Sequence, residues 1–200
     1  MADPREHAVL DHFRRSRETL ERAAGERELV AAILAIADRM VRTLREGGKI
    51  MLAGNGGSAA DAQHIAAELV GRFAIDRAPL AAIALTTDTS ALTAIGNDYS
   101  FDRVFERQVR GLGRKGDVFI AISTSGRSPN ILSALEAARE LGIVTVGFTG
   151  SKGAQMRALC DFILIAPSDE TALIQQIHIT AAHAICGLIE REMFGAPRPS

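Results

Sequence analysis

The chain has 200 residues, 47% of them hydrophobic and 24% charged. That is enough chain for one domain with a full core, and the balance excludes a sequence too polar to collapse. Lysine and arginine number 23 against 24 aspartates and glutamates, for a net charge of −1. This argues against a nucleic-acid partner, which usually needs a strong basic excess or patch, while a small anionic ligand stays open.

Residues 5–24 and 27–46 read as two helices; in the second, Leu29, Ile33, Ile36, Met40 and Leu44 recur on one face until Gly47 and Gly48 end it. A short apolar strand, Lys49 to Ala53, runs into the glycine-rich turn Gly54-Asn55-Gly56-Gly57-Ser58, and a helix is expected over 59–71. Ala81 to Leu85 is a second strand, and short helices follow at Asp88 to Ile95 and Phe101 to Gly111. Asn97-Asp98, between them, reads as a turn. A third strand, Asp117 to Ile122, ends in Ser123-Thr124-Ser125-Gly126-Arg127-Ser128; Pro129 then suits a helix start over 130–141. Strands at Ile143 to Phe148 and Asp161 to Ile165, a long helix from Thr171 to Met193 and a loose tail, Ala196 to Ser200, complete the chain.

Continuous apolar strands alternating with helices predict a parallel sheet covered on both faces. The fold expected is α/β: a three-layer α/β/α sandwich with a five-stranded parallel sheet, flavodoxin-like, carrying an N-terminal helical extension. Residues 1–46 form the helical arm, suited to oligomerisation, and 47–195 the main domain. No apolar stretch reaches the ~18 residues that span a bilayer, and Met1 to Arg17 lacks the apolar core of a signal peptide. The expectation is a cytoplasmic protein, away from membranes, with Cys160 and Cys186 as buried reduced thiols.

In open α/β sheets ligands bind beyond the carboxyl ends of the strands, and two polar loops fall there. In the second, the hydroxyls of Ser123, Thr124, Ser125 and Ser128 stand beside a helix N-terminus, whose free N–H groups attract phosphate. No Walker lysine accompanies them, which disfavours a nucleoside triphosphate. The first loop, Asn55 to Ser58, is an ordinary tight turn on its own and a second wall of the same crevice beside the other. His64 and Glu68, four apart on one helix face, suit either metal ligation or proton transfer, though spacing alone favours a surface ion pair. Gln175, Gln176, His178 and His183 interrupt the apolar closing helix, and buried polar groups need partners.

At these residues the chain resembles the phosphoheptose isomerases among the sugar isomerase (SIS) proteins. The resemblance runs from about Ile50 to Glu192 and is carried by Gly54 to Leu69, Ile95-Gly96-Asn97-Asp98, Ile122 to Ser128, Ile174 to Ile179 and the later His183. It implies an aldose–ketose isomerase converting sedoheptulose 7-phosphate to D-glycero-D-manno-heptose 7-phosphate, the first step toward the heptose of lipopolysaccharide or capsule. It implies a homotetramer with active sites at subunit interfaces and one zinc ion per subunit. Carried over residue by residue, the metal ligands are His64, Glu68, Gln175 and His183. The substrate contacts are Asn55, Gly56, Gly57, Glu68, Asn97, Asp98, Ser123, Thr124, Ser125, Ser128 and Gln175. Glu68 is then the base and His183 the opposing acid. Leu173-Ile174-Gln175-Gln176 departs from the family's frequent Arg-Ile-Gln-Glu, keeping the glutamine and losing both flanking charges. Two alternatives share the resemblance. One is an isomerase of another phosphosugar. The other is a non-catalytic SIS protein that binds a replication initiator, whose pattern lacks the residues found here as Glu68 and His183.

Overall fold

A computed structural model describes residue 3 and residues 5–195; the tail at 196–200 lies outside the described residues. Helices α1 (Glu6–Gly25) and α2 (Arg27–Arg45) precede a sheet whose strands are β1 (Ile50–Gly54), β2 (Ala82–Ala84), β3 (Val118–Ile122), β4 (Val144–Gly150) and β5 (Phe162–Ala166). Between and after them come α3 (Gly57–Val70), α4 (Thr89–Asp98), α5 (Val104–Leu112), α6 (Pro129–Glu140), α7 (Ala154–Arg157) and α8 (Thr171–Phe194). All strand pairs are parallel, in the order β2-β1-β3-β4-β5. The three-layer sandwich expected from the strand–helix alternation is the fold observed.

Successive strand residues feed opposite faces, as the pleat requires. Ile50 and Leu52 join Val118, Ile120 and Phe148 in a core closed by α2, α3 and α8. Met51 and Ala53 join Phe119 and Ala121 in the other, closed by α5 and α6. In α2, Ile36 and Met40 are fully buried in the first core, each contributing about 1.5–3 kcal/mol of burial.

Several local expectations shift. Helix α3 begins at Gly57, so Gly57 and Ser58 belong to its first turn and not to the loop. Asn97 and Asp98 form the last turn of α4 rather than a turn after it: Asp88 caps the helix by accepting the Ala91 N–H, and the ladder continues until the Tyr99 N–H reaches the Ile95 carbonyl. Here the backbone ladder outcompetes the local bonding of the Asx side chains. The segment at 101–111 divides into a 3-10 turn (Phe101–Arg103) and α5. Helix α7, one turn long, is too short to show a period.

Helix α8 is a core helix. By length and composition it could cross a membrane, with mean hydropathy 1.4 over its most apolar window. Half of that window is buried inside this domain, where α8 packs on α2 and α3 and buries His178 and Glu190. The His178 imidazole donates from Nε2 to the Thr149 carbonyl at 3.2 Å, and burial pushes its pKa down to about 4; it is a neutral core residue. Both cysteines are free, Cys186 buried and Cys160 partly so, and burial pushes each thiol up to about 12.

Candidate active site

The strand order reverses direction between β1 and β3, the switch point at which such sheets open a crevice. Gly54 at the end of β1 pairs in register with Ile122 at the end of β3, so the two polar loops leave the sheet side by side. Each turns on a left-handed glycine, Gly56 at φ +56° and Gly126 at φ +63°, a conformation that costs glycine nothing. The loops are joined by a pair of amides: Asn55 Nδ2 donates to Asn130 Oδ1, and Asn130 Nδ2 donates back to Asn55 Oδ1, both at 2.9 Å. Asn130, in the first turn of α6, is 2% exposed. It lies outside the motifs read from the sequence, where its one sign is a polar residue on the buried face of that helix.

The hydroxyl loop is held from several sides. Ser123 is buried, and its Oγ lies 3.0 Å from Ser128 Oγ, so these two hydroxyls bond each other. The Thr124 carbonyl accepts the Gly150 N–H at 3.0 Å, and Ser125 Oγ accepts the Arg127 N–H at 3.3 Å. A cavity of about 210 Å³ opens here, lined by Thr124, Ser125, Arg127, Lys152, Asp169 and Thr171. Lys152, paired with Asp169 at 2.7 Å, brings a cation that the reading of the loop alone did not include. If the phosphate sits here, Ser125→Ala should raise KM for a phosphosugar about tenfold, the worth of a hydrogen bond to a charged group, and leave kcat nearly unchanged. Steady-state kinetics read both, and an unchanged KM puts the phosphate elsewhere.

Farther along α3, His64 Nε2 lies 3.0 Å from Glu68 Oε1. His183, on α8, brings its Nε2 within 3.2 Å of His64 Nε2. The three ligand atoms all lie within 4.8 Å of one another. Two four-residue neighbours on α3 and one residue of α8 thus meet because the two helices pack together. The donor set fits a divalent cation. The His64 Nε2 faces both a carboxylate and a second imidazole nitrogen, and one N–H can be directed well at only one of them. Three candidate ligand atoms gathered this closely are what a cation can satisfy, and neighbouring ligand atoms on a tetrahedral zinc lie about 3.3 Å apart. Glu68 Oε2 makes no hydrogen bond among the described residues. The His183 ring is also stacked by Phe73, with centroids 5.6 Å apart at 29°.

The remaining expected site residues are distributed as follows. Gln175 is two turns before His183 on α8, and its amide lies against Gly57, where any Cβ would collide with it. It therefore stands at the loop end of α3, with His64 seven residues, about 10 Å, farther along that helix. Asn97 and Asp98 are exposed and bonded to each other, Nδ2 to Oδ1, at 2.8 Å. Within one chain no side-chain hydrogen bond joins them to the crevice among the described residues.

The SIS domain family model matches residues 11–150. The chain is 60% identical over 190 residues to the phosphoheptose isomerase of Bradyrhizobium sp. (strain ORS 278), covering 95% of this chain and 96% of that protein. Among solved structures, the phosphoheptose isomerase GmhA from Neisseria gonorrhoeae superposes with a TM-score of 0.87 at 47% identity, over 92% of this chain and 98% of that one. A phosphoheptose isomerase from Francisella tularensis superposes with a TM-score of 0.90 at 37% identity, over 94% and 100% of the two chains.

Proposed function

Since the chain belongs to the phosphoheptose isomerases of the SIS-domain family, we propose that it interconverts sedoheptulose 7-phosphate and D-glycero-D-manno-heptose 7-phosphate through a cis-enediol. The observation that carries this reading is the meeting of the Glu68 carboxylate and the His183 imidazole at one end of α3, with the hydroxyl loop and its cavity at the other. A sugar phosphate lying along α3 places its charged end at the hydroxyl loop and its reacting carbons at the carboxylate.

Ser123, Thr124, Ser125 and Ser128 form the phosphate loop, and Asn55, Gly56, Gly57 and Gln175 line the sugar chain. Binding the remote phosphate fixes C1 and C2 against the acid and base, which lowers the entropic part of the barrier. Glu68 takes a proton from C1 of the ketose through its free Oε2 and returns it to C2. His183 accepts the proton leaving O1 and supplies one to O2, so the aldose forms with no net gain or loss of protons. Zinc, one per subunit, is the ion assigned to His64, Glu68 and His183; Gln175, whose amide lies against Gly57 at the loop end of α3, would join them as a further ligand only by turning its side chain toward His64. When bound it supplies positive charge that polarises the reacting sugar oxygens.

The subunits assemble as a homotetramer with interfacial sites, residues 1–46 serving as the arm. Two features support this. Helix α4 buries no residue within one chain, so Asn97 and Asp98 are free to complete a neighbouring crevice. Val9, Leu10, Phe13, Val30 and Leu34 of α1 and α2 are exposed apolar residues in need of cover. The reaction is placed in the cytoplasm, where phosphorylated sugars are retained, as the entry to heptose for lipopolysaccharide or capsule.

The test is incubation of the zinc-loaded chain with sedoheptulose 7-phosphate, with and without chelator, followed by NMR. An aldose anomeric proton should grow in, and more slowly after chelation. No aldose from a folded, metal-supplied protein rejects the reading.

A further inference from the structure

The segment that follows α3 is fastened to α8 by a nearly sealed ion pair. The side chains of Arg77 and Glu190 are 1% and 2% exposed, with Nε 3.0 Å from Oε1. Glu190 also accepts the backbone N–H groups of Phe73 and Ala74 at 2.8 Å and of Ile75 at 2.9 Å. Arg77 gives its remaining N–H groups to the carbonyls of Glu68 and Leu69 at 2.8 Å, Ala78 at 3.0 Å and Gly71 at 3.1 Å. Every oxygen and nitrogen of the pair is thereby used, and one bond ends on the backbone of Glu68 itself.

A buried ion pair is a poor source of net stability, because desolvation offsets most of the attraction. What this one does is fix a register. His183, Gly187 and Glu190 lie on one face of α8 at spacings of four and three. Glu190 holds the Phe73 N–H, and the Phe73 ring packs along the helix over Gly187, where an added Cβ would sit 3.4 Å from Cε1. The ring ends stacked on His183. His183 also meets His64, with centroids 5.1 Å apart. The imidazole is thus in contact with two rings, stacked by Phe73 and met at its Nε2 by His64.

We propose that Phe73 is a positioning residue for His183, aiming its imidazole at the sugar oxygens, and that the Arg77–Glu190 pair is the clamp that holds Phe73 in place. The proposal rests on the acid role of His183 given under Proposed function.

Phe73→Leu keeps a half-buried apolar side chain and removes the stack; Phe73→Tyr restores a ring of the same size. Both are made in the full-length, zinc-loaded chain and compared with the parent for kcat and KM on sedoheptulose 7-phosphate. The His183 Cε1–H resonance, assigned through His183→Gln, is followed in histidine-labelled protein. Phe73→Leu should lower kcat about tenfold, a fraction of what an acid or base supplies, with KM within about twofold. It should also move the His183 resonance as the ring current is lost, and Phe73→Tyr should restore both. Parental kcat in Phe73→Leu, a loss that Tyr does not restore, or a resonance that stays in place overturns the proposal. A parent chain that does not isomerise this sugar rejects the functional reading instead, and the resonance then decides alone whether Phe73 positions His183.

Discussion

Glu68→Gln is expected to lower kcat by about 10²-fold or more, the contribution of a general base, in a protein whose fold is unchanged. Glutamine keeps the size of the side chain and still offers an oxygen to His64, but its amide cannot take the C1 proton. The Glu68 side chain is 23% exposed and, among the described residues, bonds only His64, so no sealed charge is orphaned by the change. Circular dichroism and the thermal midpoint should match the parent. His183→Gln should fall as far, and the double variant little further than either single one, because an acid and a base that act together in one enolisation fail as a unit. Near-parental turnover in Glu68→Gln or His183→Gln would remove the acid–base pair from the mechanism.

Glu190→Ala should produce the largest loss of stability. It leaves the Arg77 guanidinium and the N–H groups of Phe73, Ala74 and Ile75 buried without their acceptor. Breaking one side of such a pair costs about 3–5 kcal/mol, which in a chain of this size lowers the melting midpoint by about 10 °C. Acid should unmask the same interaction. Burial by itself would raise the Glu190 carboxyl, but the three N–H groups and Arg77 outweigh it and hold the carboxyl below its ordinary 4.5. A carboxyl lowered on folding stabilises fully above its unfolded value and loses that stabilisation as pH falls through its folded one. The parent should therefore weaken progressively below about pH 4.5, and the part of that loss due to Glu190 should be missing in the variant. Denaturant midpoints measured at neutral pH and at pH 3.5 read both effects. Equal midpoints for the two proteins at neutral pH would show that the pair contributes nothing to holding the fold.

The sheet was legible because its strands are continuous apolar runs, Ile50 to Ala53 and Val118 to Ile122 among them, and each ends in a cluster of glycines or hydroxyls. The helical pairing of His64 with Glu68 was legible as spacing, since four residues make one turn. That His183 would join them was not, because it depends on how α8 lies across α3, and no periodicity encodes a crossing. The resemblance put those residues together; the distances come from the packing. Asn97 and Asp98 were misread because Asx residues favour turns locally, while here a capped helix carries its backbone bonds through them. Asn130, Phe73, Arg77 and Glu190 escaped for a related reason: each works through a partner between about 70 and 120 residues away, and a lone polar or aromatic residue in a sequence carries no mark of its partner.

The clasp between Asn55 and Asn130 has a consequence for how the crevice responds to acidity. Two carboxamides neither gain nor lose charge over the range in which the domain stays folded, so the two rims remain fastened whatever the proton concentration. Capture of the sugar should then follow the ligand's own second phosphate ionisation, near about pH 6, and the gap between the rims should be as wide in mild acid as in mild base.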